Sequence, residues 1–179
     1  MIIIGEKING AIPSIKTAIE NRDAEWIQNV VKAEAEAGAD FIDCAPSTAP
    51  NLEYGAMVWL IDLIQEVTDL PICIDSPDVM LLKRIIEDGR LNMPGMVNSV
   101  NEEGIKCETI FPLIAGTPWH VIGLTCDKGG IPTESDKKVE NAKSLIEKAV
   151  KYGVDLKQFE IALCVMALST MSSAMKDFQ

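Results

Sequence analysis

Histidine and closely spaced cysteines are almost absent from this sequence. Its 179 residues include one histidine, His120, and five cysteines, of which no two form a Cys-x-x-Cys pair. Structural zinc sites draw on clustered thiol and imidazole ligands, and disulfide frameworks need an even set of cysteines in a secreted chain. We therefore expect neither a metal site nor disulfides, and we interpret His120 as a structural residue.

A long apolar run and a basic surface are also missing. No stretch approaches the ~18 consecutive apolar residues of a membrane span, and Met1 leads directly into a strand rather than into a signal peptide. The formal net charge is -11, so the chain should repel the phosphates of nucleic acids and of anionic lipids. These absences predict a cytoplasmic protein with no nucleic-acid partner and no membrane partner.

The composition is that of a globular chain. Hydrophobic residues make up 47% of the sequence and charged residues 24%, which is enough apolar surface for a core at this length. We find no low-complexity segment and no linker. The sequence therefore predicts a single domain over residues 1–179.

Short apolar runs that end on a polar residue recur along the chain. The clearest, residues 71–74, can form a strand buried on both faces, and it ends on Asp75. Four further runs end on Glu6 with Asn9, on Asp43, on Asn98 and on Asp127. Each interval between runs is long enough for one helix. Since parallel strands joined by helices bring their carboxyl ends to one edge, we expect an α/β fold with these polar groups together.

Apolar periodicity and cap residues predict a helix after each strand. The helices are expected over residues 13–20, 24–37, 53–67, 105–114 and 135–152, with a further one that starts with Asp75-Ser-Pro-Asp78 and runs to Gly89. A sixth strand is predicted over residues 159–168, and a further helix is predicted to start within residues 169–179. This gives about six βα units, fewer than a closed (β/α)8 barrel has, so an incomplete barrel and a smaller open sheet both fit.

Four short motifs, taken in order, carry a family resemblance. They are Gly5-Glu-Lys-Ile-Asn-Gly10, Ile74-Asp-Ser76, Val97-Asn-Ser99 and Ile122-Gly-Leu-Thr-Cys-Asp-Lys-Gly-Gly-Ile-Pro132. Together they resemble the methyltetrahydrofolate:corrinoid protein methyltransferase family, over essentially the whole chain. The resemblance implies a pterin-binding TIM barrel of the (β/α)8 type, related to dihydropteroate synthase and to the folate domain of cobalamin-dependent methionine synthase. With about six units, the chain is expected to be a C-terminally truncated member.

The resemblance also implies an activity and roles for the polar residues. Asp75 and Asn98 would hydrogen-bond the pterin ring and act in catalysis. The remaining pterin-binding positions would be Asp43, Asp127, Glu6 and Asn9. The substrates would be tetrahydrofolate or 5-methyltetrahydrofolate and the cobalamin of a partner corrinoid protein. A carboxylate suits the adjacent N–H donors of a pterin, and an asparagine offers a donor and an acceptor that can follow proton changes at pterin N5.

Two positions depart from the family pattern. Ala162-Leu163 stands where the family has an Asp-Pro in the sixth strand, and Ala45 stands where many members have an asparagine. The seventh and eighth units, where the family keeps another asparagine near N5, are absent. Because losing one carboxylate from a set of buried hydrogen bonds costs ~1–3 kcal/mol, we expect this chain alone to be weakly active or inactive.

Two other functions remain open. A dihydropteroate synthase-like enzyme would share the Asp and Asn positions, but it needs an anion site with a lysine and a late Arg-His segment, which the sequence does not show. A truncated, non-catalytic pterin-binding fragment could instead associate with itself through the edge of its last strand. A homodimer is therefore a candidate assembly.

Each candidate residue also has a purely structural interpretation. Asp75 could cap the helix that follows it. Glu6 could form an ion pair with Lys7, and the remaining candidates could each shape a turn: Asn9, Asp43, Asn98 and Asp127. The lysines of the last predicted helix are expected to form a solvated face: Lys137, Lys138, Lys148 and Lys151.

Overall fold

The computed structural model describes residues 1–164. Within them the chain forms two compact units, the first over Met1–Asn98 and the second beginning at Ser99. In this part of the chain no helix is both long enough and apolar enough to cross a membrane. The end of the predicted sixth strand, residues 165–168, and the helix start predicted within residues 169–179 lie outside the described residues. The prediction of a single domain stays a prediction.

The first unit alternates parallel strands with helices. In chain order its elements are β1 (Ile4–Gly5), α1 (Pro13–Glu20), α2 (Ala24–Glu36), β2 (Phe41–Cys44), α3 (Pro50–Gln65), β3 (Ile72–Asp75), α4 (Val79–Glu87) and β4 (Met96–Val100), which runs on into the second unit. β1 pairs with β2, β2 with β3, and β3 with β4, each pair in parallel. The chain must return to the same end of the sheet before each new parallel strand, and the helices form these crossover connections.

Helices α2 and α3 each bury one face. Four apolar residues at helical spacing form the buried face of α3, and all are inaccessible to solvent: Met57, Leu60, Ile61 and Ile64. In α2 the buried stripe runs through Ile27 and Val31. The apolar periodicity of residues 24–37 also predicts Trp26 on this face, but Trp26 is 48% exposed. Trp26 is one position from the stripe, about 100° around the helix. The prediction for Trp26 is wrong because the helical period selects a narrower stripe than the run of apolar residues suggests.

Aspartates cap two helices of the first unit. Asp23 caps α2 as predicted, since its carboxylate accepts a hydrogen bond from the Trp26 backbone N–H at 3.0 Å. Asp78 caps α4 and accepts from the backbone N–H of Met80 at 2.8 Å. Asp75 is instead the last residue of β3, so its interpretation as the helix cap is wrong.

Replacing Asp78 by alanine is expected to lower the free energy of unfolding by about 1 kcal/mol, because α4 loses its N-terminal hydrogen-bond acceptor. Urea denaturation followed by circular dichroism measures the change. The matched control is Asp69→Ala, an exposed aspartate before β3, which should change stability by less than half as much. Equal losses in the two variants would contradict the capping role.

The second unit has the same alternation. Its elements are α5 (Lys106–Ile114), β5 (His120–Leu124), α6 (Ser135–Tyr152), a 3-10 turn (Leu156–Gln158) and β6 (Phe159–Ala162). β5 and β6 pair in parallel, with Leu124 opposite Ala162. Helix α6 has both of its predicted bounds, and it ends at Gly153, whose φ of 82° is the left-handed conformation that glycine adopts most readily.

Of the four lysines predicted to form a solvated face of α6, Lys137 and Lys151 are exposed as expected, whereas Lys138 and Lys148 are not. Lys138 is only 2% exposed, because it continues the buried stripe that runs along α6 through Asn141 and Leu145. Lys148 makes an ion pair with Glu102. The four-carbon stem of a lysine can be buried while its ammonium group keeps a polar partner. A prediction that classes every lysine as a surface residue does not detect this.

His120 lies at the start of β5. Its Nδ1 atom is 2.8 Å from Oε1 of Glu160, which lies on the neighbouring strand β6. This cross-strand contact supports the structural interpretation of His120.

Candidate functional site

Strand register brings the polar side chains of the first unit to one face of its sheet. Asp43 is paired with Cys73, and Asp75 with Asn98. Paired residues of neighbouring strands point to the same side, and so do residues two apart on one strand, such as Cys73 and Asp75. Asp43, Asp75 and Asn98 therefore share a face, which we call the acid–amide face. The structure brings these three predicted residues together.

The opposite face of the sheet packs against helices. There, a Cβ atom on Gly5 would lie 2.8 Å from the carboxyl carbon of Glu34 on α2, so a larger residue at this position of β1 would displace the Glu34 carboxyl group. Glu34 is buried, and its Oε1 atom accepts a hydrogen bond from the Lys7 backbone N–H at 2.9 Å. Burial raises the pKa of the Glu34 carboxyl. This contact anchors the segment that leads from β1 to Glu6.

Asp43 is the most deeply buried member of the acid–amide face. It is 1% exposed, and within residues 1–164 its Oδ1 atom has no hydrogen-bond partner. Burial raises the pKa of Asp43 to about 8, the charge of Asp75 adds to the rise, and a hydrogen bond with the Cys73 thiol opposes it. Asp43 is therefore mainly protonated at neutral pH. The interpretation that it shapes a turn is wrong, since it lies inside β2.

Asp75 has a different protonation state. It is half-buried at the end of β3, and burial, followed by the charges of Glu6 and Glu53, raises its pKa to about 6. At neutral pH it is therefore mainly ionised. The two carboxyl groups on this face thus have different protonation states at neutral pH: Asp43 is mainly neutral and Asp75 mainly negative. Such a pair is typical of acid–base sites.

Asn98 lies beside Asp75 on the next strand. Its backbone carbonyl accepts a hydrogen bond from the Ser76 N–H at 3.2 Å, which holds the ends of β3 and β4 together. Its side chain is half-buried, within β4 rather than in a turn. The ionised carboxylate of Asp75 supplies hydrogen-bond acceptors, and the amide of Asn98 supplies both an acceptor and a donor on the same face of the sheet.

The segment after β1 contributes Glu6 and Asn9 in different ways. The exposed Glu6 is close enough for its charge to raise the pKa of both Asp43 and Asp75. Asn9 accepts hydrogen bonds through Oδ1, from the Ala11 N–H at 2.8 Å and from the Ser47 hydroxyl at 3.4 Å. Asn9 therefore shapes its loop, as its structural interpretation predicts, and its pterin contact stays a prediction.

The loops after β1 and β2 are in close contact near Asn9. The Gly10 N–H donates to the Ala45 carbonyl at 2.8 Å, and a Cβ atom on Gly10 would lie 2.0 Å from the carbonyl oxygen of Pro46. Only glycine allows this approach. The position of Asn9 relative to Ser47 is thereby fixed by the backbone.

Asp127 belongs to the second unit and lies in the turn after β5. It is half-buried, its Oδ1 atom accepts from the Gly129 N–H at 2.8 Å, and its Oδ2 atom accepts from Nδ2 of Asn141 at 3.1 Å. These hydrogen bonds, that from Gly129 first, lower the pKa of the Asp127 carboxyl. Asp127 shapes its turn, and its place in a pterin site stays a prediction.

Sequence reasoning missed Glu53 and Cys73 as neighbours of the site. Glu53 is buried at the start of α3, where its Oε1 atom accepts from the Ser76 hydroxyl at 2.7 Å, and its charge acts on Asp75. A signal for Glu53 was present, because it continues the buried spacing of Met57 and Leu60 along α3. In the described part of the chain, no group of His, Cys, Asp and Glu side chains could hold a metal ion.

Relatives with similar sequences exist, although no protein-family model matches the chain. The methylcorrinoid:tetrahydrofolate methyltransferase of Eubacterium limosum is 44% identical over 181 residues, covering 100% of this chain and 66% of that protein. The methionine synthases of Mycobacterium leprae and Mycobacterium tuberculosis are each 27% identical over 177 residues, covering 95% of this chain and 14% and 15% of those proteins. The chain thus spans just under two thirds of the first relative and about one seventh of the others.

Solved structures of dihydropteroate synthase have a similar fold. One from Xanthomonas albilineans, in complex with indole-2-carboxylic acid and 6-chloroguanine, has a TM-score of 0.63 at 18% identity and covers 99% of this chain and 64% of that chain. Another from the same organism, in complex with 7,8-dihydropteroate, has a TM-score of 0.57 at 18% identity and covers 89% and 57%. At this identity the likeness concerns the fold alone, and it confirms the predicted α/β fold class of the TIM-barrel type. The 44% identity to the Eubacterium limosum protein confirms the resemblance found in the motifs: the chain belongs to the methyltetrahydrofolate:corrinoid protein methyltransferase family.

Proposed function

We propose that the acid–amide face binds the pterin of tetrahydrofolate and that the protein transfers a methyl group between tetrahydrofolate and the cobalt of a corrinoid protein. The observation that carries this proposal is the pairing of ionised Asp75 with Asn98, beside neutral, buried Asp43. The name of the Eubacterium limosum relative supports it and gives the direction, from methylcorrinoid to tetrahydrofolate.

The residues present fit a pterin ring. The amino-pyrimidinone edge of a pterin presents adjacent N–H donors, and an ionised carboxylate such as Asp75 accepts two of them, at ~1.5–3 kcal/mol for each charge-assisted bond. Asp43 brings a buried Oδ1 atom that has no partner within residues 1–164. A bound ring that hydrogen-bonds this atom would remove the desolvation cost of leaving it unpaired.

The methyl transfer changes the proton count at pterin N5. In the proposed direction, the N5 lone pair forms the new bond to the methyl carbon, the cobalt–carbon bond breaks with its electron pair staying on cobalt, and N5 then loses its proton. Asn98 carries both a donor and an acceptor, so it can hydrogen-bond N5 before and after this proton leaves. Asp75, with a pKa of about 6, is mainly ionised at neutral pH, and since its oxygens face the amino-pyrimidinone edge rather than N5, it can take up this proton only through bridging water.

A single-turnover assay tests the proposal. The protein in excess is mixed with methylcobalamin, which stands in for the methylated corrinoid protein, and with tetrahydrofolate, and 5-methyltetrahydrofolate is quantified by chromatography. We expect product that depends on both substrates, formed slowly because Ala162 replaces a family carboxylate. An Asn98→Ala variant should lower the rate, and Asp69→Asn, an exposed control, should not.

Two results would overturn this function. One is a folded protein, verified by circular dichroism, that binds no tetrahydrofolate at millimolar concentration. The other is formation of dihydropteroate from 4-aminobenzoate and a hydroxymethyldihydropterin pyrophosphate without any methyl transfer, which would favour a dihydropteroate synthase.

A further inference from the structure

A groove between α1 and α3 opens beside the loops that hold Asn9. It consists of two adjoining cavities of about 270 Å³ and 370 Å³. The two cavities share four lining residues, and each has others of its own. The shared residues are Ile19, Glu20, Thr48 and Leu52. Together the cavities reach the size of ordinary small-molecule sites. Pterin recognition by the acid–amide face does not use this groove.

The groove adjoins Asn9 through the loop after β2. Ser47 lines the first cavity, and its hydroxyl donates to Oδ1 of Asn9 at 3.4 Å. Thr48 lines both cavities, and its buried Oγ1 atom has no hydrogen-bond partner within residues 1–164. A ligand that extends past Asn9 and Ser47 would therefore enter the groove between Ile19 and Leu52.

Cationic side chains line the groove, in contrast to the net charge of -11 on the whole chain. Lys16 lies in the first cavity and Arg22 in the second, and the acidic Glu20 lines both. The Arg22 guanidinium lies 4.7 Å from the ring centroid of Trp59, which holds it in place. The groove is thus a local positive region beside an acidic site.

Backbone geometry singles out the same groove. In residues 1–164, three residues other than glycine have positive φ, and two of them, Arg22 at 54° and Ser47 at 47°, line these cavities. This conformation is costly for side chains of this kind and tends to persist where function maintains it.

We propose that the groove binds the p-aminobenzoyl-glutamate tail of the folate, a step that rests on the proposed pterin site. The aromatic ring of the tail contacts Ile19 and Leu52, the latter 60% exposed in the groove wall. The glutamate carboxylates meet Lys16 and Arg22. Additional γ-linked glutamates add negative charge, so the substrate class favoured by the groove is a folate with a polyglutamate tail.

Isothermal titration with three ligands tests this proposal. They are 6-methyltetrahydropterin, which has no tail, tetrahydrofolate with one glutamate, and tetrahydrofolate with three. We expect the affinity of the wild-type protein to rise along this series. The double variant Lys16→Gln/Arg22→Gln should lose roughly 5- to 20-fold in affinity for the triglutamate and little for the tail-free pterin, because only the charge-assisted contacts are removed.

A second variant and a control separate this effect from a folding defect. Leu52→Glu adds a negative charge at an exposed position of the groove and should also abolish the preference for longer tails. Lys32→Gln, an exposed lysine of α2 outside both cavities, should leave the preference intact. If wild type binds all three ligands equally, the tail proposal is wrong while the pterin site stands. If none of the three binds, the pterin site and the tail site both fail.

Discussion

An Asp75→Asn variant is expected to bind tetrahydrofolate about 10- to 100-fold more weakly than the wild-type protein at pH 7.5. The substitution keeps the size of the side chain at the end of β3 and replaces one acceptor oxygen by an amino group. That group would face the N–H donors of the pterin, so a hydrogen bond becomes a repulsive contact. Isothermal titration measures the loss, and Asp69→Asn is the control for removing one negative charge before the same strand.

The pH dependence of binding gives this prediction a second readout. Burial, followed by the charges of Glu6 and Glu53, raises the pKa of Asp75 to about 6. Since the ionised form is the acceptor, wild-type affinity should fall as the pH is lowered through 6. Asp75→Asn has no such carboxylate, so its difference from the wild type should shrink in the same range. A variant with wild-type affinity at pH 7.5 would show that the pterin does not bind at Asp75.

Local chemistry determines the elements that the sequence predicts best. Helix α1 has both predicted bounds, with Pro13 at its first position, where a missing backbone N–H costs nothing. Helix α6 also has both bounds, because Gly153 takes a left-handed conformation that stops it. In both helices the bound is set by the backbone preference of a single residue, Pro13 or Gly153. Such a preference can be predicted from the residue type alone.

Strand ends were less accurate because partners define them. Strand β3 ends on Asp75 as the sequence predicts, whereas β4 continues two residues past Asn98, to Val100, and Asp75 is paired with Asn98. Whether a residue continues a strand depends on the neighbouring strand, and register is a property of two segments far apart in sequence. The side on which these polar groups lie therefore follows from the structure.

The protonation states of the site are also tertiary properties. Asp43 and Asp75 each end a short apolar run of the sequence, and nothing local distinguishes the protonation states of their carboxyl groups. Their pKa values differ because Asp43 is more deeply buried and because Glu6, Glu53 and Asp75 act on them from different segments. Family resemblance supplied the candidate residues, and only burial and charge contacts supply their chemical states.

An Asp43→Asn variant is expected to have a higher free energy of unfolding than the wild-type protein, by an amount that increases as the pH is raised. Burial raises the pKa of Asp43 from its ordinary value of 3.8 to about 8 in the folded protein. Between these values the folded state holds a proton that the unfolded state has lost, so wild-type stability is full below pH 3.8 and is lost as the pH rises through 8. An Asp43→Asn side chain is neutral at every pH and avoids this loss.

Urea denaturation of wild type and Asp43→Asn at pH 5, 7 and 9 measures the effect. The difference in free energy of unfolding should grow by ~2–4 kcal/mol in favour of the variant between pH 5 and pH 9. For Asp75→Asn, whose parent carboxyl has a pKa of about 6, the corresponding growth should stop near pH 7. A difference that stays constant or shrinks with rising pH would show that Asp43 is ionised in the folded protein.

The same variant separates the two carboxyl groups in binding. Neutral Asp43 can donate a hydrogen bond, and the amide of Asp43→Asn retains both a donor and an acceptor. We therefore expect this variant to keep its affinity for tetrahydrofolate within about threefold, in contrast to Asp75→Asn. A large loss of affinity in Asp43→Asn, with stability unchanged, would instead assign to Asp43 the role of the ionised pterin acceptor.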